Sequence, residues 1–335
     1  MRLLFASLAS VGHTYPLIPL AVAAREAGHE VHFAAGESVH DALGKSALRP
    51  FRPAVAYYDI YAEDIAPDLA RLRPDLVIHG WGVPGVADAA RAAGIPGLWH
   101  GFGRMFPDGI GLDRPLRTGL PHVDICPPSL QDKDFLDTEQ RIALRPVPYA
   151  EAGERFPGPL VYLTLGTAFG TPELLTTALE GLAMLRATVV VATGRVRPEE
   201  LGEVPENVIP RAWVSQAELL PHADLVVHHG GSGTTLGALA AGVPQLVLPQ
   251  GADQFANADA LVTSGAALRL LPDEVSTAAV ATCAATLRRE SGFRDAARAL
   301  ADEIAHLPSP AEVVERLTAS ARPPERHGQV GQSRE

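Results

Sequence analysis

Cysteine and lysine are nearly missing from this sequence of 335 residues, and it has no long apolar run. Its two cysteines, Cys126 and Cys283, fall in different halves and in no metal or redox pattern, so both read as buried free thiols rather than as a disulfide or zinc framework. No lysine follows Lys133, which leaves the second half without a P-loop lysine or a Schiff-base lysine for pyridoxal phosphate. No segment approaches the ~18–20 apolar residues of a membrane span, and Met1-Arg2-Leu3-Leu4-Phe5 runs straight into a strand-like stretch without a signal-peptide pattern. A cytoplasmic protein is the expectation. Positive charge is short as well: 28 Lys and Arg against 39 Asp and Glu leave a formal charge of −11. That balance argues against general binding to nucleic acid or an anionic membrane, so only local features can hold an anionic ligand.

What is present suits two α/β domains, since a domain usually takes ~100–200 residues and a hydrophobic content of 47% is ample for their cores. The first half reads as βαβ units: a strand at 2–9, a helix at 16–27 with proline in its first turn, and a strand at 30–35. Two more strands follow at 76–79 and 97–99, separated by an alanine-rich helix at 86–93. From Gly103 to Pro159 the pattern fails, with only a weak helical piece near 136–144. Strong alternation restarts at Leu160, with strands at 160–165, 188–192, 208–209, 225–227 and 245–248 and helices between them. These patterns predict two doubly wound parallel sheets: an N-terminal domain over 1–148, a linker over 149–159 and a C-terminal domain over 160–308. A short helix over 309–321 is free to pack back on the N-terminal domain, and 322–335 reads as a disordered tail.

In such sheets ligands bind beyond the carboxyl ends of the strands. The strand at 225–227 runs into His228-His229-Gly230-Gly231-Ser232-Gly233-Thr234-Thr235, which opens a helix. Glycines there let a ligand approach the backbone, and the free N–H groups and dipole of the helix start favour an anion such as pyrophosphate. The preceding strand end offers Trp213 and Gln216, a flat aromatic and an amide suited to a nucleobase. The following one offers Asp253 and Gln254, suited to sugar hydroxyls, and Gly166-Thr167 ends the first strand of this half. The plainer alternative at each position is structural: Trp213 in the core, Asp253 capping the next helix.

Trp213-x-x-Gln216, His229-Gly230-Gly231 through Gly242-Val243-Pro244, and Asp253-Gln254 together resemble the donor signature of GT-B glycosyltransferases, most closely the bacterial natural-product (antibiotic) enzymes. The similarity resumes at Val11-Gly12-His13-Thr14-Tyr15-Pro16-Leu17 and at His100-Gly101-Phe102-Gly103. The resemblance implies two Rossmann-like domains facing a central cleft. It implies that Trp213, the Val214 backbone and Gln216 meet the nucleoside, that His229 and Gly231, Ser232, Gly233 and Thr234 hold the phosphates with help from Gly166 and Thr167, and that Asp253 and Gln254 bind the sugar. The N-terminal domain would then take the acceptor, with His13 as general base of an inverting transfer, because imidazole titrates near neutrality. No metal or pyridoxal phosphate is expected, and the nucleotide sugar is a co-substrate. A dTDP-sugar is favoured over a UDP-sugar, because Gly237 stands where plant and macrolide relatives carry a glutamate for the ribose hydroxyls.

Two departures qualify the resemblance. Relatives with a histidine base orient it with an aspartate beyond the fourth strand, where this chain reads His79-Gly80-Trp81-Gly82-Val83-Pro84-Gly85 and has no carboxylate before Asp88. His79, Trp81 and His100 are acceptor-side candidates, and the partner of His13 stays unassigned. The stretch between the second strand and Leu76, about forty residues, is also short for an acceptor domain, with Phe51, Tyr57, Tyr58 and Tyr61 as stacking or core rings. That implies a small acceptor, one presented on a carrier, or an opening covered by a second subunit in a homodimer. Asp132-Lys133-Asp134 matches an Asp-x-Asp metal motif but lies in an irregular segment and reads as solvated charge. Two other readings stay open: a nucleotide-sugar 2-epimerase, and a non-catalytic nucleotide-sugar-binding auxiliary protein.

Overall fold

A computed structural model describes residues 1–53, 59–108, 121–166 and 170–320. Its first sheet grows from β1 (Arg2–Ala6), which leads through a short α1 (Val11–Thr14) and α2 (Ile18–Glu26) to β2 (Glu30–Ala34). Then come α3 (His40–Lys45), β3 (Arg49–Phe51), α4 (Ala62–Leu72), β4 (Leu76–Gly80), α5 (Pro84–Ala92), β5 (Gly97–His100), β6 (His122–Asp124), α6 (Lys133–Thr138) and β7 (Arg141–Ala143). The seven strands are ordered β3-β2-β1-β4-β5-β6-β7, every neighbouring pair parallel.

The second sheet contains β8 (Leu160–Thr164), α7 (Pro172–Ala183), β9 (Thr188–Ala192), β10 (Val208–Arg211), α8 (Gln216–Leu219), β11 (Leu225–His228), α9 (Ser232–Ala240), β12 (Gln245–Val247), α10 (Gln254–Thr263) and β13 (Ala267–Arg269). Its order, β10-β9-β8-β11-β12-β13, is again fully parallel. Central β8, Leu-Val-Tyr-Leu-Thr, is buried along its whole length because helices cover both faces of the sheet. Helices α11 (Thr277–Arg289) and α12 (Ser291–Ala305) complete this domain.

The stretch from Gly103 to Pro159 corrects the sequence reading. It contains β6, α6 and β7, and the weak helical piece resolves into a helix that ends at Thr138 and a strand that starts at Arg141. Strands of three residues are too short to show a period, and their pairing partners define them. Asp132 is also more than solvated charge: its side chain caps α6 and lies 3.5 Å from Arg104. Cys126 is fully buried, whereas Cys283 is only half-buried.

The chain crosses between domains twice. Segment 149–159 leaves the first sheet with Tyr149 packed on Tyr15 and reaches the second, where the Ser215 hydroxyl donates to the Glu151 carbonyl. After α12 the chain returns, and α13 (Pro310–Ser320) lies on α2 with Val313 and Val314 inside the N-terminal core. Burying two valines there stabilises the return by about 3–6 kcal/mol before ordering costs. Loop residues Cys126 and Leu130 of the first domain pack among Leu239, Leu261 and Leu300 of the second, so the domains share an apolar seam. The carboxyl ends of both sheets face the space beside that seam.

Candidate active site between the sheets

At the end of β11 the chain turns through Gly230, in the left-handed region at φ +95°, and enters α9. No side chain caps the start of α9, whereas Thr171 caps α7 and Ser276 caps α11. Helix starts leave backbone donors unpaired. Here those of Gly231 to Thr234 stay available to an anion, with open space at Gly233. His229 lies between two glycines: a Cβ on Gly166 would come within 2.6 Å of its ring, and one on Gly231 within 2.5 Å. Burial pushes His229 down to about 4, opposed by a hydrogen bond to the Thr164 backbone. At neutral pH it is therefore a neutral donor or acceptor, and the positive end of α9 supplies the charge complement to a phosphate.

Asp253 stands at the start of α10 but makes no capping hydrogen bond to that helix. Its Oδ2 instead accepts from the Ser232 hydroxyl at 3.2 Å and from Asn257 Nδ2 at 2.9 Å. The residue before it, Ala252, has φ +52°, a costly conformation for alanine, next to a carboxylate that meets the glycine turn after β11. Gln254 lies deeper than the sequence suggested. It is 2% exposed, and its side-chain oxygen accepts from the backbone of Gln250 and Gly251, so that oxygen holds the loop rather than a sugar. Ser232 and Thr234 likewise spend their hydroxyls inside: Ser232 on Asp253, Thr234 as acceptor from Gln216 at 3.0 Å. Trp213 is 48% exposed beside buried Val214, its ring 6.3 Å from the Tyr15 ring of the other domain and nearly perpendicular to it. Thr167 lies outside the described residues.

Across the gap, His13 sits inside α1, whose N-cap is Ser10, so it caps nothing. Its imidazole packs 5.3 Å from Trp81 and 5.0 Å from Phe102. Burial alone pushes it down to about 4, and its Nδ1 is sealed without a partner. Asp88 is exposed on α5 and paired with Arg91 at 2.9 Å. His79 and His100 are 3% and 0% exposed, each bonded to the next residue's carbonyl, so neither side chain meets the cleft. Of the three acceptor-side candidates, only Trp81 stands beside His13.

The two sides touch. A Cβ on Gly103 would overlap the Ser232 hydroxyl, so glycine at 103 is what lets the loop after β5 close on the glycine turn before α9. His13, Phe102, Gly103, Ser232 and Asp253 thus form a continuous chain of contacts from imidazole to carboxylate. Sequence reasoning missed Asn257. It is 3% exposed, and its amide also donates to the Gly230 carbonyl, tying the glycine turn and the carboxylate together. Its spacing of one helical turn from Asp253 was the only available signal.

Known proteins match this arrangement. Residues 176–320 fit the family model of the erythromycin biosynthesis protein CIII-like C-terminal domain. The elloramycin glycosyltransferase ElmGT of Streptomyces olivaceus is 35% identical, with 95% of this chain and 97% of that protein covered. The chain belongs to the GT-B glycosyltransferases of natural-product biosynthesis. The L-demethylnoviosyl transferase of Streptomyces niveus is 32% identical to this glycosyltransferase, with 96% and 99% covered. Among solved structures, SnogD of Streptomyces nogalater superposes with a TM-score of 0.79 at 26% identity, covering 96% of this chain and 99% of that one. SsfS6 of Streptomyces sp. SF2575, complexed with thymidine diphosphate, gives 0.76 at 26%, covering 95% and 99%. The ElmGT alignment runs over 383 positions against a chain of 335, so at least 48 positions of that relative have no counterpart in this glycosyltransferase. Among the described residues no helix is long and apolar enough to cross a membrane, and no cluster of metal-ligating side chains occurs.

Proposed function

We propose that this enzyme transfers a sugar from a dTDP-sugar to a natural-product acceptor in the cytoplasm, with inversion at the anomeric carbon. His13 is the general base, and neither a metal nor pyridoxal phosphate takes part. The observation that carries the reading is the contact path from His13 through Phe102 and Gly103 to Ser232 and Asp253. It supports the reading because an imidazole stands on one wall and a helix start with uncapped backbone donors on the other. In this reading Trp213 and the Val214 backbone meet the base, the N–H groups of Gly231 to Thr234 hold the diphosphate, and Asp253 binds sugar hydroxyls. The acceptor oxygen gives its proton to His13 and attacks from the side away from the diphosphate, and a single displacement inverts the centre. The departing diphosphate takes the bond's electron pair and needs no proton where fixed dipoles meet its charge.

The preference for dTDP rests on Gly237. A Cβ there would lie 3.0 Å from Leu220 Cδ1, with Pro148 and the Gln216 side-chain oxygen behind it at 3.8 and 3.9 Å. A carboxylate side chain for a ribose 2′-hydroxyl would therefore have to push Leu220 aside, and a deoxyribose leaves no such hydroxyl unmet. The missing positions relative to ElmGT favour a small acceptor or one presented on a carrier. Proton NMR of the product is expected to show the anomeric configuration opposite to the donor's, and retention would sink the mechanism. Competition titration is expected to rank dTDP above UDP; the reverse order would remove the nucleotide assignment alone.

A further inference from the structure

Two adjacent histidines lead from β11 into the glycine turn. His229 lies against Gly166 and Gly231, whereas His228, the last residue of β11, is wholly buried. Both nitrogens of His228 are engaged. Its Nδ1 accepts the Gly230 backbone N–H at 3.1 Å, and its Nε2 lies 2.7 Å from the Gln245 side-chain oxygen. A backbone N–H can only donate, so Nδ1 carries no hydrogen and Nε2 carries the one of a neutral ring. Gln245 is itself wholly buried on β12, and its amide nitrogen donates onward to the Thr235 carbonyl at 3.4 Å. That second bond turns the Gln245 oxygen, not its nitrogen, toward the imidazole. Burial pushes His228 down to about 3, with the His229 ring adding to the fall and the Gln245 bond opposing it, so the ring is neutral near pH 7. The other side of Gly230 is held too, since its carbonyl accepts from Asn257 Nδ2 at 2.9 Å. Both peptide planes that flank its α-carbon are therefore fixed, and with them its φ of +95° and its ψ. No residue with a side chain suits this position: besides the positive φ, a Cβ would come within 3.0 Å of the Gln254 carbonyl oxygen and 3.1 Å of Val247. Glycine is the least restrained of residues, so the stiffness of this turn has to come from its partners.

We propose that His228 is a positioning residue for the donor's diphosphate. Locked by Gln245 as the tautomer with hydrogen on Nε2, it joins Asn257 in holding Gly230 in the conformation that presents the N–H groups of Gly231 to Thr234 to an anion. It touches no substrate. The proposal rests on the reading that this helix start takes the diphosphate, and it adds what pre-shapes the start. Donors already in place need little reorganisation when the nucleotide binds or when the leaving charge grows.

Calorimetric titration of the full chain with dTDP and with UDP tests this. His228→Leu keeps much of the bulk and removes the acceptor, and is expected to weaken dTDP binding by about tenfold. His228→Asn gives up the bond to Gln245 but offers a side-chain oxygen near the place of Nδ1, and is expected to stay within about threefold of wild type. A packing role alone would not rank the two in that order, because asparagine fills the space of the imidazole no better than leucine does. Gln245→Met frees the ring to turn and is expected to cost about threefold; it carries the test if His228→Leu does not fold. Wild-type affinity in His228→Leu or in Gln245→Met overturns the proposal, and so does a loss in His228→Asn equal to that in His228→Leu. Wild-type protein that binds neither nucleotide removes the diphosphate reading itself, a result distinct from the ranking of the variants. Binding of UDP alone changes only the nucleotide, and the same ranking is then expected with UDP.

Discussion

At the tips of β8, β11 and β12 the polar side chains are joined to one another: Gln216 to Thr234, Ser232 and Asn257 to Asp253, Gln254 to the loop backbone. Near the tips of β1, β4 and β5 stand histidines with buried nitrogens that make no hydrogen bond, Nδ1 of His13 and Nε2 of His79 and His100, and at the start of β6 stands buried His122, its Nδ1 3.4 Å from Glu139. The two sheets share the order of six strands, the first adding β7 at its edge, and differ in this. A network already paired without ligand holds its dipoles in place and needs little reorganisation when charge develops. The donor side is built that way, apart from His229 Nδ1 and the hydroxyls of Thr193 and Thr235. The acceptor side leaves polar atoms unmet inside an apolar wall, so its chemistry depends more on what the acceptor brings.

The comparison breaks most visibly in acid. His13, His79, His100 and His122 are each held near 4 by burial, against an ordinary value of 6.5, and His228 and His229 near 3 and 4. A histidine whose folded pKa is depressed binds its proton first in the unfolded chain. Stability is therefore intact above about 6.5 and is lost as pH falls toward about 4, at up to ~1.4 kcal/mol per pH unit for each residue. With four such residues against two, the N-terminal sheet should lose hydrogen-exchange protection before the C-terminal sheet on acidification, costing several kcal/mol. Simultaneous loss in both sheets, or first loss in the C-terminal one, would contradict this.

His13→Ala probes the acceptor side directly. It should lower kcat by ~10²-fold or more while donor affinity stays nearly constant, because in the proposed mechanism the residue meets only the incoming hydroxyl. Activity within a factor of about three of wild type would take His13 out of the mechanism. Asn257→Leu probes the donor side. It keeps the bulk and removes the donor that Gly230, Ser232 and Asp253 share. Donor Kd should weaken by ~10-fold, in line with a buried hydrogen-bond network losing its hub. The nucleotide sugar should suffer more than free dTDP. Equal weakening of both would mean that Asn257 supports the phosphate turn alone.

Much of this protein is local and was readable. The βαβ periodicity, Gly28 after α2, Pro16 before it and the glycine turn after β11 are set by neighbours a few residues apart, and they predict two parallel sheets and the place of the donor. The short strands β3, β6, β7 and β13 are defined by the strand that lies beside them, and α13 shows its destination only where Val313 and Val314 find the first core. The same limit governs the chemistry. Histidine at 13 and aspartate at 253 are facts of sequence, but the empty side of Nδ1, the spending of Gln254 on its own loop and the clasp of Asn257 are decided by residues far away in the chain. Residue type fixes which proton or hydrogen bond a group can exchange; tertiary packing determines what stands next to it, and hence its pKa, tautomer and reach.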